Sequence, residues 1–320
     1  MTIPLEHYLV KDATPVGLGD RATTLFVVFV VMLAVTWVSA LLRAYVRICM
    51  IKNVAADDWW MLTSLQAIYT IYSGAALWGI VHGGTGKRTE ELTLEEVHEG
   101  LFSWYICEVL YAPASVMVRT SVAIFLLRVA STPVHRWIIW ANLGVVYIIS
   151  IVFFFIVTFQ CSPPRYFYDQ IRGQQGSCVN LNIVPNVTIA HSAIGATSDL
   201  IFASLPIVML WKVQLNKRTK LVIALLLSMG FVAGIVLLVR IPYVERLAIT
   251  PDFLYETVPV ATWSVLEPSL GIIAGCVATL RPLFHHLGFG GSTTQLYGEV
   301  TPLQGIAETI DRQSVVVPCP

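Results

Sequence analysis

The residues able to do chemistry in this chain are a few polar side chains that interrupt long apolar stretches. Glu108, Ser115 and Arg119 follow one another at spacings of seven and four residues. At about 100° per residue those spacings put them on one helix face, with Tyr111 at its edge. Asp199, Arg240, Trp263 and Glu267 interrupt three later apolar stretches. A charge inside a bilayer is costly enough that it should face protein or water rather than lipid, so these eight residues are candidates for a ligand-binding or polar network. Glu108, Asp199 and Glu267 are also the catalytic candidates, because a desolvated carboxyl can serve as a general acid. A buried hydrogen-bonded network that only fixes helix packing explains the stripe on the third helix equally well.

These positions need elements to carry them. Of 320 residues, 56% are apolar and 12% charged, and the mean hydropathy is +0.71. Soluble domains carry about a quarter charged residues, so the composition is that of an integral membrane protein. Seven apolar stretches lie near 22–44, 58–80, 101–128, 137–160, 184–211, 219–247 and 257–281. Each is long enough to cross a hydrocarbon core of about 30 Å at about 1.5 Å per residue. Lipid offers no partner to open backbone groups, so all seven are expected as helices of an all-α, polytopic bundle. Residues 22–281 form that transmembrane domain. Residues 1–21 form an N-terminal segment without the features of a cleaved signal, and residues 282–320 a short, disordered tail.

Orientation follows from the stretch between Leu200 and Val236, where a short link carrying Lys212, Lys217, Arg218 and Lys220 joins two apolar runs. Excess Lys and Arg marks the cytoplasmic face, which places the N-terminus outside, the C-terminus inside, and this link where a cytoplasmic signalling partner would dock. Counting depth along the helices separates the intramembrane charges into two layers. The inner layer pairs Arg119 with Asp199; the outer joins Arg240 to Glu108 or Glu267.

Other motifs have structural explanations. Asp57-Asp58-Trp59-Trp60 reads as a helix cap followed by interfacial aromatics. His82-Gly83-Gly84-Thr85-Gly86-Lys87 departs from phosphate-loop spacing and reads as a Gly-rich helix terminus. Gly230 and Gly234, like Gly271 and Gly275, have the small-residue spacing that lets helices approach closely within a bundle. Cys161 and Cys178 flank one polar loop and could form a disulfide on an oxidising face, with Cys107 a rival partner for either. The cysteines have no zinc-site spacing, so no metal is expected. The zero net charge gives a nucleic-acid partner no support. Five of the six lysines fall outside the spans and Lys220 stands at the very start of one, so no retinal Schiff base is expected, and no other cofactor is readable.

Taken together, Asp57-Asp58-Trp59, YAPASVMVRTSVAIFLLR at 111–128, FQCSPP at 159–164, SDLIFASLPIVMLWKVQLNKRTK at 198–220, Arg240, WSVLEPSLGIIAGC at 263–276 and TLRPL at 279–283 are recognisable as a set. The ordered set resembles the fungal rhodopsin-like-domain family of seven-helix membrane proteins, over roughly residues 20 to 285. Arg119 stands where the family usually has a Lys, an Asn common before the helix-5 Asp is missing, and Ala278 replaces a common Pro. The resemblance implies a receptor-like protein or a member of a secondary-metabolite gene cluster, and does not imply retinal binding.

Two functions compete. One is a receptor-like protein that binds a small lipophilic molecule within the bundle, in the plasma membrane or the endoplasmic reticulum. The alternative is a membrane-embedded biosynthetic enzyme, an isomerase or cyclase using a buried carboxyl as general acid. A transporter ranks third, since the halves show no internal repeat.

Overall fold

A computed structural model describes residues 19–51, 66–130, 132–180, 182–210, 217–247, 250 and 252–279. The long helices are α1 (Asp20–Tyr45), α2 (Gln66–Val81), α3 (Leu94–Val129), α4 (Pro133–Thr158), α5 (Ile183–Leu210), α6 (Lys217–Leu247) and α7 (Phe253–Thr279). A π-helical turn at Val46–Ile51 continues α1. Six of the helices are long and apolar enough to cross a membrane. The other, α2, is described over 16 residues, about 24 Å of helix, and the rest of the span expected near 58–80 lies outside the described residues.

The helices pack in a ring. Each touches the next in sequence, α1 closes the ring against α7, and α3 runs close to the middle, touching α2, α4, α5 and α7. The sequence prepares α3 for this role: its polar stripe finds partners on α5 and α7. The outer faces are apolar and exposed, as at Val38 and Leu41 on α1 and Trp137, Trp140 and Ile148 on α4. Such faces are stable against lipid and costly in water.

Local sequence sets the helix ends. Thr93 caps α3 by accepting from the Glu96 backbone N–H, while the Glu96 carboxylate accepts from the Thr93 N–H at 2.9 Å. This capping box starts α3 at Leu94, seven residues before the apolar run that predicts it, because polar capping chemistry rather than hydropathy sets the terminus. Pro133 occupies the first turn of α4, and the Thr132 hydroxyl accepts from the His135 N–H. The segment after α2 reads as expected for a helix terminus: Gly84 and Gly86 take φ of +60° and +93°, and the Gly83 and Thr85 N–H groups both donate to the Gly79 carbonyl. Gly83 also lies against the backbone of Gly100, so α2 and α3 touch where any side chain would separate them.

Between α4 and α5 the chain folds over one end of the bundle. Strands β1 (Cys161–Ser162) and β2 (Ser177–Cys178) pair antiparallel, with Cys161 opposite Cys178. These two cysteines are joined in a disulfide. Cys107 is free, which removes it as a disulfide partner; it lies on α3 and its thiol approaches the Tyr72 carbonyl at 3.6 Å. The helical turn Tyr166–Asp169 buries Phe167 against Val97, Leu101 and Leu254. His98 Nε2 lies 2.7 Å from Asp169 Oδ1 and ties this loop to α3.

At the other end, one expectation needs correction. Lys217, Arg218 and Lys220 are not loop residues; they begin α6, because Lys and Arg have good helix propensity and the apolar run after them continues without a breaker. Lys212, Asp57, Asp58 and the tail 282–320 lie outside the described residues.

Candidate functional site

The polar stripe of α3 meets α5 and α7 inside the bundle. Arg119 Nη2 lies 3.0 Å from Asp199 Oδ2 on α5 and 2.9 Å from Glu267 Oε1 on α7. The other Glu267 oxygen accepts from the Tyr111 hydroxyl. Ser115 donates to Glu267 Oε1 at 3.0 Å and accepts from Arg119 Nη1. Arg119 and Glu267 are almost fully buried. Gly195 on α5 leaves the space that the guanidinium occupies.

The two-layer picture is therefore corrected. Glu267 does not join Arg240 but makes the Arg119–Asp199 pair a triad, because Ser115 and Arg119, one turn apart on α3, both face it. Arg240, on α6, stands over the Tyr111 ring with its guanidinium carbon 4.5 Å from the centroid. Neither Glu108 nor Glu267 forms an ion pair with Arg240 among the described residues. Arg240 is 5% exposed, and its Nε and Nη1 have no hydrogen-bond partner among the described residues. Among the described residues Glu108 accepts a single long hydrogen bond, from Gln160 Nε2 at 3.4 Å.

Cavities lie on both sides of this polar centre. At the disulfide end, a cavity of about 110 Å³ runs beneath the loop, with Phe167, Val184, Val244 and Phe253 among its walls. Beside it, a cavity of about 50 Å³ reaches Phe29, Tyr72 and Ile80. Trp104, Glu108 and Arg240 line both. At the opposite end, a third cavity of about 130 Å³ lies against Arg119, Asp199, Glu267, Phe202, Gly230 and Gly271. Trp263 lines none of these three cavities; it is half-buried on α7, and the face turned to the cavity one turn before Glu267 is that of Ser264.

Two buried polar residues of the bundle lie outside the candidate set. His191 on α5 is buried, with Nε2 3.0 Å from Ser150 Oγ and its ring 5.7 Å from that of Tyr111. Arg43, near the end of the first apolar run, is 3% exposed, and its Nη1 donates to the Gly275 carbonyl at 2.6 Å. The Gly230 and Gly271 spacings pack within the bundle, against Ala203 and Val118. Among the described residues no cluster of His, Cys, Asp and Glu could hold a metal ion.

Comparison with known proteins decides the family: the profile described as the fungal rhodopsin domain matches residues 42–286. The chain belongs to the fungal rhodopsin domain family. Its relatives include a SAT4 family membrane protein of Emericella nidulans, 28% identical over 67% of this chain and 53% of that protein. Another is the polyenoic acids biosynthesis gene cluster protein Ba17b of Metarhizium anisopliae, 22% identical over 87% of this chain and 77% of its own length. Fugralins biosynthesis cluster protein 2 of Gibberella zeae is 21% identical over 44% of this chain and 34% of its own. The chain thus spans only about half the length of the first of these relatives. No solved structure matches. The fungal rhodopsin domain here is a multi-pass membrane bundle, and two of its relatives carry the names of biosynthetic gene clusters.

Proposed function

We propose that this fungal rhodopsin domain is a receptor-like, seven-span protein that binds a small lipophilic molecule at the disulfide end of its bundle. The single observation that carries this reading is the pair of cavities sharing Trp104, Glu108 and Arg240. Ligand sites are typically apolar hollows with a few convergent polar groups, which is the composition of these walls. In the proposed orientation the disulfide loop is exterior, where oxidising conditions allow the bond. The C-terminal end and the basic start of α6 then face the cytoplasm, the side a signalling partner would approach. The seventh span is the stretch expected near 58–80, of which α2 is the described part. The reading requires no retinal and no other cofactor.

Communication between the ends has a physical route. Arg240 rests on Tyr111, Tyr111 donates to Glu267, and Glu267 holds Arg119 at the third cavity. A ligand that moves Arg240 changes the support beneath Tyr111 and, through it, the triad.

A second reading is a membrane-embedded isomerase or cyclase. The names of two relatives place them in biosynthetic clusters, and Glu108 at the cavity junction could act as a general acid. One experiment separates the two. A deletion strain is complemented with wild type, Glu108→Gln, Asp199→Asn and Glu267→Gln, and its metabolites and transcripts are compared. Unchanged intermediates with an altered transcriptional response are expected. Accumulation of one precursor that wild-type membranes convert and variant membranes do not would replace the receptor with the enzyme.

A further inference from the structure

Arg240 presents a problem of hydrogen-bond satisfaction. A guanidinium has five N–H donors, and buried donors are nearly always paired, because an unpaired polar group out of water loses its hydration for nothing in return. Arg240 is 5% exposed, yet its Nε and Nη1 donate to nothing among the described residues. The Tyr111 ring satisfies the charge from one side through its π face but offers those N–H groups no lone pair in the ring plane. Both cavities open onto this guanidinium.

Glu108 is the complementary half. A carboxylate has about four lone-pair positions, and among the described residues Glu108 uses one, on a 3.4 Å bond from Gln160. It lines the same two cavities as Arg240 without forming an ion pair to it. The junction therefore offers unused donors from one wall and an unused acceptor from the other.

We propose that the ligand carries a carboxylic acid head, bound between Arg240 and Glu108, on an apolar chain that runs into the cavity beneath the disulfide loop. This rests on the reading that these cavities hold a ligand. An oxygen of the head accepts from Arg240, and one proton is shared between the head and Glu108. Arg240 with two carboxyl groups and one shared proton is a neutral set, the condition a low-dielectric site favours. The planar fork of Arg matches a carboxyl in a way that a Lys ammonium does not. An ester accepts but cannot donate to Glu108. The chain would lie among Val184, Val244, Leu247, Phe253 and Val260.

The test uses the full chain in lipid nanodiscs, with tritiated octanoic acid as probe, and methyl octanoate and octanol as competitors. Empty discs and a Thr188→Trp variant, which fills the larger cavity, report partition into lipid. Saturable binding of the acid is expected, with the ester and the alcohol weaker by about tenfold or more, the worth of a charge-assisted hydrogen bond. Arg240→Gln should weaken the acid by a similar factor, whereas Glu108→Gln, whose amide can donate to the acid head or to the ester carbonyl, should shrink the acid's advantage over the ester. Arg240→Lys preserves the charge if the Gln variant does not fold, and should also weaken it. Ester and acid binding equally, both lost in Thr188→Trp, would overturn the acid head while leaving the ligand cavity standing. Binding of no probe above the level in empty discs would overturn both.

Discussion

Arg119 on α3 lies 2.9 Å from Glu267 on α7, and the same guanidinium nitrogen lies 3.0 Å from Asp199 on α5. One cation therefore holds three helices together. Removing one partner from a buried ion pair costs about 3–5 kcal/mol, because the survivor keeps its desolvation penalty without its counter-charge. Glu267→Ala should cost that much, since it also strands the Tyr111 and Ser115 hydroxyls. Glu267→Gln retains one acceptor oxygen and should lose less. Thermal unfolding of the detergent-purified protein orders the two; an alanine variant as stable as the glutamine one would mean the triad does not support the fold.

The exchange of charge between Arg119 and Asp199 makes a sharper test. An isolated pair would tolerate the double swap better than either single reversal. Here the swapped acid would face Glu267, so the double variant should remain well below wild type. Combining the swap with Glu267→Gln should recover part of the loss, read as a higher yield of monodisperse protein. Full recovery by the double swap alone would detach Glu267 from the triad.

That Arg119 and Asp199 would pair was legible from depth along their helices. The place of Glu267 was not, because depth ignores which helix faces which. Arg240 was assigned a carboxylate partner for the same reason, while the structure gives it an aromatic face. Arg43 ends the first apolar run, and hydropathy says nothing of its partner, the Gly275 carbonyl on α7. The helices themselves were legible because hydropathy fixes their existence; their ends were not, because caps such as Thr93 and Glu96 obey hydrogen-bond chemistry.

The disulfide should act on the loop more than on the bundle. Cys161 and Cys178 are 17 residues apart in sequence, and closing a loop of that size stabilises by about 2–4 kcal/mol. Cys178→Ser should hasten amide exchange from 162 to 177 while leaving α5 and α7 protected. Cys107→Ser should leave the non-reducing peptide map unchanged. Loss of the 161–178 cross-linked peptide in the Cys107 variant would overturn the pairing.

His98 offers a second attachment for the same loop. Its Nε2 lies 2.7 Å from Asp169, and its ring packs edge-on against Tyr168 at 5.5 Å. His98→Ala removes both and exposes the edge of the larger cavity's cover. Faster exchange at 166–172 is expected, with little change in global unfolding, since Phe167 remains packed on α3. Unaltered exchange there would show that Phe167 and the disulfide hold the loop without His98.

Tyr111 joins the two halves of the polar centre and allows them to be separated. Tyr111→Phe keeps a ring beneath Arg240 but removes the hydroxyl that Glu267 accepts from. It should cost about 1.5–3 kcal/mol, the range for a hydrogen bond to a charged group. Tyr111→Leu also removes the aromatic face and should cost a further amount, up to about 2 kcal/mol for a desolvated cation–π contact. Double-mutant cycles assign the terms. Tyr111→Phe should couple to Glu267→Gln by more than about 0.5 kcal/mol, the margin beyond simple additivity, and should add simply to Arg240→Gln. If Tyr111→Phe couples to Arg240→Gln instead, the hydroxyl and the guanidinium act through one another. The route from the cavities at the disulfide end to the triad would then depend on the hydroxyl rather than on the ring.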